Sequence, residues 1–122
     1  MTAAQAIDRT DRLKPNSYSY ADKLVWLSQL DGSVRREILE PHFGGGEEFV
    51  PYTEDSDPER KLLAEAPYDE MYIHYLSAQI DYANCEYDRF NNSNRMFESS
   101  YSAFRNAYNC GHTPKESKKN YW

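Results

Sequence analysis

The sequence predicts an all-α fold: a small bundle of about four helices, with one long acidic loop between the second and the third. Three observations predict it. Apolar and aromatic residues recur in steps of three and four, the spacing that lines up one face of a helix with 3.6 residues per turn. The series Ala83, Tyr87, Phe90, Asn94, Phe97, Tyr101, Phe104 and Tyr108 is the longest example. Helix-start residues stand in front of the periodic stretches, and glycine or proline stands after them.

The first helix starts at Thr2 as N-cap, with Gln5 three residues on as the capping-box partner. It ends near Leu13, because Pro15 disfavours helical backbone at Lys14. Its apolar content is thin, so it must lie against another element. Ser19 and Asp22 form a second start signal, an S-x-x-D box. Behind it Leu24, Leu27, Leu30, Val34 and Ile38 keep one face as far as Pro41. Gly32 lies inside this run and costs about 1 kcal/mol relative to alanine. The phase is unbroken across it, so one helix is expected, with a bend there.

Gly44-Gly45-Gly46 terminates that helix. The loop that follows, 44–66, is acidic, carries Pro51 and Pro58, and has few apolar residues with which to hold itself in place. Two extended pieces within it, 48–52 and 61–64, are placed to pair as a short β-hairpin.

Pro67 opens the third helix, since proline is tolerated in a first turn, and Asp69 and Glu70 suit the positive helix end. The run Phe90-Asn91-Asn92-Ser93-Asn94 is two-sided. Asparagine and serine favour a turn, yet the aromatic face stays in phase through them. One continuous helix would run to about forty residues, against a mean near 11–12. The expectation is a helical hairpin turning at 91–93, with the single long helix as the alternative. The last helix stops at Gly111, with Pro114 beyond. Residues 1–114 thus form one helical domain and 115–122 a flexible tail.

Composition narrows the function. A chain of 122 residues holds one core. Eleven tyrosines are a surplus for so short a chain, and tyrosine suits thin cores and interfaces. No apolar run reaches the length of a membrane span. Met1-Thr2-Ala3-Ala4-Gln5 lacks the basic start and apolar stretch of a secretory signal, so the expectation is a soluble protein made and kept in the cytoplasm. There Cys85 and Cys110 are expected to be free thiols. The net charge is -6, with nine acids between Glu47 and Glu70, which is no footprint for sequence-specific nucleic-acid binding.

Catalytic and metal chemistry find little support in the spacing. Cys110 and His112 make one close pair, short of the four ligands of a structural zinc site. Asp55-Ser56-Asp57-Pro58-Glu59 lacks the turn glycine and distal glutamate of a calcium loop. There is no nucleophile elbow, and neither cysteine has a histidine on its own helix face. The expectation is a non-enzyme with no metal and no cofactor. The candidate functional residues are interface aromatics: Tyr82, on the side of its helix away from the core, and Tyr121 and Trp122 at the end of the basic tail.

A set of segments in fixed order adds a resemblance. They are Leu13-Lys14-Pro15-Asn16, then Lys23-Leu24-Val25-Trp26-Leu27-Ser28-Gln29-Leu30-Asp31-Gly32, then Pro67-Tyr68-Asp69-Glu70-Met71-Tyr72. Gln79-Ile80-Asp81-Tyr82 and Tyr87-Asp88-Arg89-Phe90-Asn91-Asn92-Ser93 follow, and last come Met96-Phe97 and Tyr101-Ser102-Ala103-Phe104. Together they resemble the small head–tail connector (adaptor) proteins of tailed phages and of prophages in Gram-positive bacteria. The resemblance spans residues 4–114 and is weakest over 44–65. It implies a largely helical subunit in a homo-oligomeric ring, a dodecamer in the virion and a monomer in solution. Such a ring sits beneath the portal protein, extends the DNA channel and docks the tail or a stopper protein. DNA would pass without sequence-specific binding, no membrane would be involved, and no catalytic residue is implied. The acidic balance suits a channel that must not hold phosphate. The alternatives from the residues alone are a cytoplasmic helical adaptor or regulator that binds a partner through its aromatic face, and, less well supported, a small helical DNA-binding regulator.

Overall fold

The fold is that of a computed structural model, which describes residues 1–39 and 49–111. Among the described residues four α-helices form a small bundle with no sheet: α1 (Ala3–Leu13), α2 (Tyr20–Val34), α3 (Glu70–Ala83) and α4 (Tyr87–Gly111). The start signals act as read. The Thr2 hydroxyl accepts from the Gln5 amide at 3.2 Å, and the Gln5 side chain accepts from the Thr2 amide at 2.9 Å. The Ser19 hydroxyl accepts from the Asp22 amide at 3.1 Å, which satisfies one of the amides left open at a helix start.

α2 runs through Gly32 without a break and then widens into a π-turn over Arg35–Leu39. The expected face is intact: Leu24, Leu27, Leu30, Val34 and Ile38 are all buried. Among the described residues a Cβ on Gly32 would meet only the Phe49 ring, at 3.9 Å, so none of them packs closely enough there to demand glycine. Residues 40–48, which include the expected helix end at Pro41 and the glycine triplet, lie outside the described residues.

The stretch from 49 to 69 departs from expectation. Tyr52, Leu62 and Ala64 are buried in the main core, so the segment is packed in place by its own apolar residues. The β-hairpin does not form among the described residues, because the backbone donors of both pieces are engaged elsewhere. The Tyr52 amide donates to the Ser28 hydroxyl, the Leu63 amide to the Asp31 carboxylate and the Ala64 amide to the Tyr72 hydroxyl. Lys61 makes an isolated antiparallel bridge with Thr2, and the Leu62 amide donates to the Met1 carbonyl at 2.9 Å.

α3 starts three residues later than predicted. Tyr68 donates its amide to the Glu65 carbonyl in a tight turn, and Met71 and Tyr72 close three-residue turns before the regular ladder begins. Met71, Tyr72, Leu76 and Ile80 of this helix are fully buried. α3 and α4 do form a hairpin, but it turns at 84–86 and not at 91–93. Cys85 takes the left-handed conformation, with φ of 60°. Its amide donates to the Tyr82 carbonyl, and the Glu86 amide reaches the Asp81 carbonyl. That pair of bonds is a Schellman motif, with cysteine in the seat glycine normally takes. The asparagine run is helical instead, because Ser93 spends its hydroxyl on Asp81, at 2.8 Å, and Asn94 bonds Glu98 one turn on.

α4 lies along the outside of α3. The rings of Tyr75 and Phe97 meet at a tilt with centroids 5.0 Å apart, and Phe104 packs between Tyr68 and Tyr108. On the aromatic face of α4, Phe104 is buried while Phe97 and Tyr101 are half-buried against the core. The reason is that α4 covers the bundle from one side only. The Tyr101 hydroxyl donates to Glu37 at 2.8 Å and ties α4 to the π-turn. Burial first, then the bond to Glu37, raises that phenol above its usual range.

Candidate interaction surface

Two buried carboxylates organise the molecule, and the second braces its most aromatic exposed surface. Asp31 sits on the apolar face of α2, one turn from Leu27 and from Val34, and is fully buried. Its carboxylate accepts from the Tyr52 hydroxyl at 2.5 Å, the Tyr72 hydroxyl at 2.7 Å and the Leu63 amide at 3.1 Å. Burial pushes the Asp31 carboxyl above its ordinary value, against the pull of those three donors and of the more distant Arg60. Tyr52 and Tyr72 are both raised well above the ordinary phenol range, by burial and by the neighbouring Asp31 charge. The guanidinium of Arg60 lies over the Tyr52 ring, 4.3 Å from its centroid, within the range of a cation–π contact.

Asp81, near the end of α3, is also fully buried. Lys14 donates to both of its oxygens at 2.6 Å, and Ser93 donates to one of them. One carboxylate thereby joins the α1–α2 connection, α3 and α4. A second tie runs close by, from the Tyr18 hydroxyl to the Asn84 side chain at 2.6 Å. Asn16 reads the same connection: its amide group donates to Asp11 and to the Lys14 carbonyl, while its oxygen accepts from the Tyr18 amide. Asp11 also receives the buried Lys23 at 2.7 Å.

This bracing holds the tip of the α3–α4 hairpin, where two exposed rings cluster with the half-buried Phe90. Tyr82 is 57% exposed and Tyr87 55% exposed. Tyr82 meets Tyr87 edge-on at 5.9 Å and Phe90 at 5.3 Å. The Tyr87 phenol is raised above its ordinary value chiefly by its hydrogen bond with the Cys85 thiol. Chemically this is a rigid aromatic platform with hydroxyl tips. Tyrosines held in place in advance lose little freedom on binding, which favours a protein contact.

Of the predicted interface residues, the structure puts Tyr82 on this surface, while Tyr121 and Trp122 lie outside the described residues. Cys85 and Cys110 are both exposed, and His74 is half-buried on α3. Among the described residues no cluster of three or more His, Cys, Asp or Glu side chains is arranged to hold a metal ion, and no helix is long and apolar enough to cross a membrane. The sequence reading passed over Asp31, Asp81 and Lys14. The signal for Asp31 was present, since an acid in phase with Leu27 and Val34 must be buried and must find donors. In comparisons with known proteins, no family model, no curated protein and no solved structure matches the chain.

Proposed function

We propose that this chain is a structural protein of tailed-phage virions, a head–tail connector. In this reading it forms a homo-oligomeric ring, a dodecamer, beneath the portal protein, extends the DNA channel and gives the tail or a stopper protein its docking surface. It is not an enzyme, needs no cofactor, assembles in the host bacterial cytoplasm and ends in the virion at the head–tail junction. The observation that carries the reading is where the resembling segments meet. Lys14, Asp31, Tyr72, Asp81 and Ser93 come from five of these segments and meet at the two buried carboxylate nodes, the Asp31 node being completed by Tyr52 and Leu63 from the least similar stretch. The segments thus share in holding the subunit's shape, which is what a family of structural proteins would keep in common. The braced tip with Tyr82, Tyr87 and Phe90 supplies the aromatic contact surface that a ring subunit needs.

The test is binding to DNA-filled phage heads that carry portal but lack connector. The protein should co-sediment with these heads and not with portal-free heads, and Tyr82→Ala with Tyr87→Ala should weaken the attachment while leaving the fold intact. Equal binding to both kinds of head would overturn the proposal. The same exposed tip also favours a second reading, a cytoplasmic adaptor for a host protein. A gene position directly after portal and capsid genes would exclude that one.

A further inference from the structure

We infer that residues 49–66 are a strap latched on Asp31, able to open as one unit while the four helices stay folded. The strap has no hydrogen-bonded ladder of its own. Its internal backbone bonds are local turns, from the Ser56 amide to the Thr53 carbonyl and from the Arg60 amide to the Asp57 carbonyl, and the Arg60 side chain ties its two halves by donating to the Val50 carbonyl at 2.6 Å. What fastens it to the helices is concentrated at one carboxylate. The Tyr52 hydroxyl and the Leu63 amide, eleven positions apart in the chain, donate to the same Asp31 oxygen. The Ala64 amide reaches Asp31 at one remove, through the Tyr72 hydroxyl. Outside this latch the described backbone ties are the Tyr52 amide on Ser28 and the Leu62 amide on Met1.

The latch is poised by its own chemistry. Among the described residues no cation lies within ion-pair distance of Asp31, so the buried carboxylate is held chiefly by its three donors, with Arg60 acting from farther off. Losing one donor weakens the hold on the others, because a carboxylate short of partners in a low-dielectric site draws in water. Once the strap lifts, hydration of the carboxylate offsets much of what the lost bonds supplied. Nothing comparable offsets parting α3 from α4, whose contact includes the tilted Tyr75–Phe97 pair and the edge-on pairs of Tyr82 with Tyr87 and Phe90. Opening of the strap therefore lies below global unfolding in free energy, as the locally unfolding units of other proteins do. Released, the strap bares the Asp31–Tyr72 pair.

Native-state hydrogen exchange on the wild-type chain, read residue by residue in low denaturant, tests this. The amides of Tyr52, Leu62, Leu63 and Ala64 should exchange with one shared, shallow denaturant dependence, at least about 100-fold faster than the Leu76 amide in the core of α3. If they follow the same steep dependence as Leu76, or four unrelated ones, the inference fails. Tyr52→Phe supplies a second reading, because it removes one hydroxyl at one end of the strap. It should speed exchange of Leu63 and Ala64, at the other end, by about tenfold, the factor that corresponds to one hydrogen bond. An effect confined to the neighbours of residue 52 would overturn the shared latch.

Discussion

Removing Lys14 probes the bracing of the hairpin tip most sharply. Its ammonium group donates to both oxygens of Asp81 at 2.6 Å, and the Asp81 side chain is 1% exposed. Lys14→Met keeps the length of the side chain and deletes the charge, leaving the carboxylate with the Ser93 hydroxyl alone. Deleting one partner of a buried ion pair costs about 3–5 kcal/mol, because the other charge stays buried without compensation. The Lys14 side chain is itself 25% exposed, so water can take part of its place, and the lower end of that range, about 3 kcal/mol, is expected. Against the roughly 5–15 kcal/mol that holds a typical domain, this is a large loss. In a chain of this size it corresponds to a fall of about 10–15 °C in melting temperature. Urea titration followed by far-UV circular dichroism measures it directly. Combining Lys14→Met with Asp81→Met should restore most of the loss, since an apolar pair of similar volume replaces a buried ion pair at little cost. A Lys14→Met variant within about 0.5 kcal/mol of wild type would refute the reasoning and mark the contact as an ordinary surface pair.

Three further outcomes are expected. Phe104→Ala removes the buried ring of α4, set between Tyr68 and Tyr108, and should cost about 3–5 kcal/mol by chemical denaturation. Cys85→Gly relieves the left-handed backbone at the Schellman turn and should raise stability by about 1 kcal/mol. The third concerns pH. Burial holds the Asp31 carboxyl above its unfolded value of 3.8, so the folded state binds this proton more tightly than the unfolded chain does. The contribution of the group is therefore fully present below pH 3.8 and is lost as pH rises through the folded value. The stability of wild type relative to Asp31→Asn should fall as pH is raised through that window, and a difference that grows with pH would contradict the burial argument.

What could be read in the sequence was local. Thr2 with Gln5 and Ser19 with Asp22 are caps whose partners lie three residues away, so spacing alone reveals them. The face from Leu24 to Ile38 follows from helix period. The misplaced hairpin turn has a specific cause. The chain turns on Cys85, a residue with no turn preference to announce it, while the more turn-like Asn91 and Asn92 ride on the exposed side of α4. The packing of Tyr52, Leu62 and Ala64 was hidden for another reason. Their anchors, Asp31 and Tyr72, are contributed by two separate helices, and no local pattern encodes such a meeting. The exposure of Tyr82 was legible from its side of the helix. Its ring cluster with Tyr87 and Phe90 was not, because that depends on where the hairpin turns.

The proposal that this chain joins heads to tails is tested most directly by deleting its gene from the phage or prophage proposed to carry it and examining the induced particles by electron microscopy. The account predicts DNA-filled heads without tails, together with free tails, and restoration of tailed virions when the intact chain is supplied in trans. Tailed, infectious particles forming at the normal yield without it would contradict the account.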